Sequence, residues 1–247
     1  DLTNCINFSS LFYNTNLDNI TMDSFVDSTY VANSRTDNSL NLSSMFTSFT
    51  GRDISFDIWG FLVKKVKLLE KIKAHSNVSM YSMLTYVRSI PFFSIYELYM
   101  ALADSTYVYG AARVSGVNIT NFASDTTFKE LEVPIPLNLT DRYANKFTLN
   151  SCGTNGIGKL VFRQTPHSSI DSLDVLKKAT TDKNMCYGFI NKNKPAENTY
   201  KLPTAIVVRL LRAKTSIPET TESIEAIKTF LNDVYTTPKE NISVIFE

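Results

Sequence analysis

Residues 153-GTNGIGKLVFRQ-164 hold three of the chain's 8 glycines, and from Gly153 they keep the spacing G-x-x-x-x-G-K of a phosphate-binding loop. Such a loop needs a helix after it, whose first N–H groups face the phosphate, and a Ser or Thr after the Lys to hold Mg²⁺. Leu160 stands at that position, and Leu160-Val-Phe-Arg-Gln is apolar, β-branched and aromatic, the composition of a strand. No nucleotide site is expected. Upstream, 146-KFTLNS-151 alternates as well, so the stretch 146–164 is expected to be a hairpin with Asn155-Gly156 in its turn.

The other strand candidates extend outward from that segment: 106–121, 128–139, 185–191, 204–214 and 241–247, separated by turn-rich linkers such as 191-NKNKPAEN-198. Strands seldom alternate with long helices. The expected fold is therefore mainly β with a few inserted helices: an antiparallel β-sandwich, with Pro134 and Pro136 confining 128–139 to an edge or a bulge. Helices are expected at 56–74, with Ile58, Trp59, Leu62, Val66, Leu69 and Ile72 on one side and Lys64, Lys67 and Lys71 opposite. A further helix is expected from Ser94, where Glu97 three residues later completes a capping box. Others are expected near 169–179 and at 220–235. Residues 1–50 are dense in Asn, Asp, Ser and Thr without sustained periodicity, and read as an extended polar arm. The expected organisation is an arm at 1–50, a sandwich core at 51–215, and a C-terminal helix and strand at 216–247.

With 25 Lys+Arg against 24 Asp+Glu, the 247-residue chain carries no global field that would draw nucleic acid or membrane. No apolar run approaches the roughly 18 residues of a membrane helix. The chain opens at Asp1, as a processed product would. Cys5, Cys152 and Cys186 are too few and too scattered for a structural zinc, and favour assembly inside a cell. Seven N-x-S/T sequons begin at Asn7, Asn19, Asn41, Asn77, Asn118, Asn138 and Asn241. His75 and His167 sit in no nucleophile or metal pattern, and Asp53 and Asp57 read as surface groups, so no catalytic residue, metal, cofactor or small-molecule substrate is expected.

Residues 92–120 run from an aromatic lead-in through a short helix to Tyr107, Tyr109, Arg113, Val114, Val117 and Ile119. This stretch resembles the helix-to-strand entry of single jelly-roll capsid proteins of small icosahedral viruses. The resemblance implies a coat subunit that self-assembles in many copies into a virion shell and contacts viral nucleic acid weakly. Relatives often carry a basic N-terminal run, and this chain has none. The expected phosphate contacts are then Lys64, Lys65, Lys67, Lys71 and Lys73, with Arg209 and Arg212 as a second set. The alternative is a secreted or surface β-sandwich glycoprotein that binds a glycan or receptor.

Overall fold

The structure is a computed structural model that describes residues 2–16, 21–31, 36–48, 56–87, 89–101, 116–118, 121–135, 156–181 and 203–247. Its strands form two sheets, and every pairing in both is parallel. One sheet joins β1 (Thr36–Asn41), β2 (His75–Ser79) and β4 (Gly116–Asn118). The other joins β3 (Ile90–Ser94), β5 (Thr127–Ile135), β6 (Gly156–Gln164), β7 (Ala205–Leu210) and β8 (Ile242–Phe246), in that spatial order. The helices are α1 (Ile58–Gly60), which continues as a π-helical turn over Phe61–Lys65, α2 (Leu68–Ala74), α3 (95–101), α4 (Leu173–Thr181) and α5 (Thr221–Tyr235).

This mixed α/β arrangement replaces the antiparallel sandwich. The physical reason lies in the connections. Antiparallel neighbours close through a few residues, whereas parallel ones need a crossover of a dozen or more. Long segments separate β5 from β6, β6 from β7 and β7 from β8, and α4 and α5 lie within the last two. The hairpin at 146–164 is overturned by the same pairing. β6 is flanked by β5 from Gly156 to Gln164 and by β7 from Lys159 to Arg163, which leaves no edge for an antiparallel partner. Residues 146–155, 185–191 and Pro136 lie outside the described residues. Pro134 is tolerated inside β5 because β3 pairs β5 only as far as Glu132, so β5 has a single neighbour at that point.

The polar N-terminal region is no extended arm. Phe8, Phe12, Leu40, Leu42, Met45 and Phe46 are buried in the core, and the Phe12 and Phe46 rings stack 5.3 Å apart. They belong to a repeat. The segments 6-INFSSLFYN-14, 40-LNLSSMFTS-48, 78-VSMYSMLTY-86 and 117-VNITNFASD-125 superpose in pattern, the last being described at 117–118 and 121–125. Alternate N–H groups of each segment donate to the next: Phe8, Ser10, Phe12 and Asn14 to the carbonyls of Asn41, Ser43, Met45 and Thr47. Leu42, Ser44, Phe46 and Ser48 then donate to Ser79, Tyr81, Met83 and Thr85, and Leu84 and Tyr86 to Phe122 and Ser124. Each segment turns twice through left-handed backbone, at Ser10 and Asn14, Ser44 and Ser48, Ser82 and Tyr86, and Asn121 and Asp125. Four turns thus stack as coils. The inward position tapers as Phe12, Phe46, Leu84 and Ala123, a continuous buried column.

This repeat also accounts for two sequons. The side-chain carbonyls of Asn7 and Asn41 accept from the N–H groups of Ser9 and Ser43, at 3.1 and 3.0 Å. The Asn and the Ser two residues later are the two halves of an Asx turn.

The five-stranded sheet has one apolar face. Phe93, Leu131, Leu160, Ile206 and Ile242 form one cross-strand row, and Val133, Phe162, Val208 and Val244 the next. α4 and α5 cover this face: the Tyr235 ring lies 5.9 Å from Phe162 and its hydroxyl donates to the Thr180 carbonyl at 2.6 Å. Residues 216–247 thus extend the same sheet through β8 and cover it with α5. The start of α5 is capped by Thr220, whose side chain accepts from the Ser223 N–H.

Candidate functional site

The lysines expected to share one exposed helical face do not share it. The helix breaks at Lys67, which takes left-handed backbone (φ 57°), so the residues after it rotate to a new phase. Lys64 stays exposed, Lys73 is half-buried, and Lys65 pairs with Asp27 at 2.6 Å, holding that carboxyl below its usual range. Lys71 is 0% exposed. Its ammonium donates to the carbonyls of Leu2 and Cys5, both at 2.7 Å, with the Phe8 ring 4.8 Å and the Tyr30 ring 5.4 Å away. Burial pushes its pKa down to about 8 from 10.5, against a smaller opposing effect of Cys5. Lys71 therefore pins the first coil instead of meeting solvent phosphates.

The two arginines are also engaged. Arg209 Nη1 binds Glu247, and Arg212 forks onto Glu219 through Nε and Nη2 at 2.9 and 3.0 Å. The described structure does not gather the seven cationic residues into one patch.

What the fold does assemble is a charged face on the five-stranded sheet, opposite the apolar one. Parallel register places Phe92, Glu130, Lys159 and Ala205 in one row. Ser94, Glu132, Val161, Val207 and Ser243 form the second, and Pro134, Arg163, Arg209 and Ile245 the third. Lys159 reaches across to Glu130 at 3.2 Å. Arg163 binds Glu132 at 3.3 Å and approaches Glu97 at 3.8 Å, while its guanidinium stacks 4.4 Å over the Tyr96 ring. Burial raises the Tyr96 phenol, and Arg163 partly offsets this.

The anchor of the cluster is Ser94, the expected cap. Its hydroxyl accepts from the Glu97 N–H at 3.0 Å and donates to Glu132 at 2.7 Å. A buried serine thus starts α3 and holds the carboxylate that orients Arg163. Sequence reasoning identified Ser94 and Glu97 but not Glu130, Glu132, Lys159 or Arg163. The signal available for these was the alternation of charge with apolar residues in 129-KELEV-133 and 159-KLVFR-163.

The face holds Glu97, Glu130, Glu132 and Glu247 against Lys159, Arg163 and Arg209, so acids and bases nearly balance. It can recognise a surface of mixed polarity; it has no excess of cations to hold a phosphate backbone. Elsewhere, a cleft of about 130 Å³ between Leu173 and Pro218 is lined also by Ser172, Ser216, Ile217 and Ser223 and carries no ionisable side chain. Among the described residues no group of three or more His, Cys, Asp or Glu converges as metal ligands would, and no helix is long and apolar enough to cross a membrane. No family model, no curated protein and no solved structure matches this chain.

Proposed function

We propose that this chain is a recognition module that binds a protein partner along the charged face of its five-stranded sheet. The observation that carries this reading is the register-fixed set of Lys159–Glu130, Arg163–Glu132–Glu97 and Arg209–Glu247, stacked beside Tyr96 and Ile245. Stacked parallel coils in sequential order present a broad surface whose side chains sit at fixed spacing, the property that repeat scaffolds use for binding. The charged groups are about one-third to two-fifths exposed, enough to be reached and enough to be held in place. Exposed pairs of this kind contribute little to stability and more to partner choice.

The coat-subunit reading drew its support from a jelly roll, and an all-parallel sheet stands in its place. Particle assembly would have to rest on a different geometry.

The test compares captured proteins by quantitative mass spectrometry for the wild-type chain, for Lys159→Ala/Arg163→Ala/Arg209→Ala, and for the remote control Lys228→Ala. A partner retained by wild type and control, and depleted at least tenfold by the triple variant with unchanged circular dichroism, is the expected result. A partner set unaltered by the triple variant would remove the sheet face from recognition.

A further inference from the structure

The structure points to a second binding surface, on the stacked turns, and we propose that it takes a neutral carbohydrate chain. The four nine-residue segments contain one ionisable acid, Asp125, and no base, in a chain that is 20% charged. Yet the turns are not bland. Tyr13, Tyr81 and Tyr86 are 53, 43 and 56% exposed, and they belong to a small set of large apolar side chains that face solvent among the described residues.

Tyr86 carries the argument furthest. It occupies left-handed backbone at φ 62°, where the fold needs only a positive φ and glycine would meet that need at lower cost. The equivalent positions in neighbouring coils hold Asn14, Ser48 and Asp125, small residues of the kind that accept this conformation. A bulky aromatic ring there is strained and turned outward, so packing does not explain it. A ligand would.

The chemistry of the ridge selects the ligand. Tyrosine offers an apolar face and a polar tip with few torsions to freeze, and the adjoining Ser and Asn side chains offer adaptable hydrogen bonds. A neutral sugar presents the complement: C–H faces that stack on rings and a rim of hydroxyls that both donate and accept. The absence of cations removes the attraction that nucleic acids or sulfated chains require. Coil spacing of about 4.8 Å repeats the Ser and Asn positions along the ridge, suited to a polymer with a repeating unit.

The full-length chain is screened on an array of neutral oligosaccharides, and the best-bound one is titrated by calorimetry against wild type, Tyr86→Gly and Tyr81→Ser. Expected is a neutral glycan bound by wild type, weakened at least tenfold by each substitution, with Tyr86→Gly melting at the same or a higher temperature. That combination separates ligand contact from folding, because glycine relieves the strain while deleting the ring. Absence of any neutral glycan on the array, or equal affinity in all three proteins, overturns the proposal. So does a ridge-dependent glycoprotein ligand whose binding survives enzymatic removal of its glycans.

Discussion

Ser94 donates its hydroxyl to Glu132 while accepting from the Glu97 N–H, so its removal has two costs. Losing the cap alone is worth about 1 kcal/mol, and leaving the buried Glu132 carboxylate short of a donor adds about 1 kcal/mol more. Ser94→Ala should therefore lower unfolding stability by about 2 kcal/mol in urea titration, and Ser94→Thr by less. Lys71 makes the opposite kind of prediction, one of pH. Its pKa is about 8 when folded and 10.5 in the open chain, so between those values the unfolded state binds more protons. Stability must then rise with pH across that window, by at most about 1.4 kcal/mol per pH unit. The difference in urea midpoint between pH 7.5 and pH 10 should be larger for wild type than for Lys71→Met. An equal response in the two proteins would mean that the ammonium is not desolvated.

At the scale of elements, β6 is the best test of the parallel sheet. A Cβ on Gly158 would lie 2.6 Å from the Lys129 carbonyl oxygen of β5, backbone that cannot swing aside. Gly158→Ala should cost about 1–3 kcal/mol by forcing the two strands apart, read as a lowered melting temperature. The same strand denies a nucleotide site: Lys159 is paired to Glu130, and no helix follows the glycines. Titration with Mg·ATP up to millimolar concentration should give no saturable heat. Individual elements were legible because their signals are local. The Ser94 cap, the apolar periodicity of 220–235, and the β-branched runs in β6, β7 and β8 depend on neighbours a few residues away. Pairing direction was not legible by the same means, since parallel and antiparallel strands share one alphabet. The available clue was length, and it required trusting the gaps between strands over the strands themselves. The 56–74 helix failed for a related reason: one residue, Lys67, in left-handed backbone rephases everything after it, and composition does not announce such a break.

Across the whole molecule, the stacked coils share one column of buried side chains, and each coil is covered by the next. Removing 1–31 would uncover the Phe46 and Phe61 rings, which now meet Phe12 and, at Phe61, Phe25 as well. The truncated chain should bind a hydrophobic dye and unfold at markedly lower urea, whereas a dispensable arm would leave both readouts unchanged. The repeat itself was present in the sequence but hidden by uneven spacing. Segments starting at residues 6, 40, 78 and 117 have no fixed period, and the eye finds an array only when its period is constant. That unevenness has a genetic consequence. The ladder counts residues only inside each nine-residue segment, where every second N–H must meet its carbonyl. An insertion or deletion between segments is carried by the return path and leaves the stack in step. A single residue gained or lost within a segment reverses which side chains face inward along the rest of it. Length variation in descendants of this chain should therefore collect between the segments, and be purged from within them.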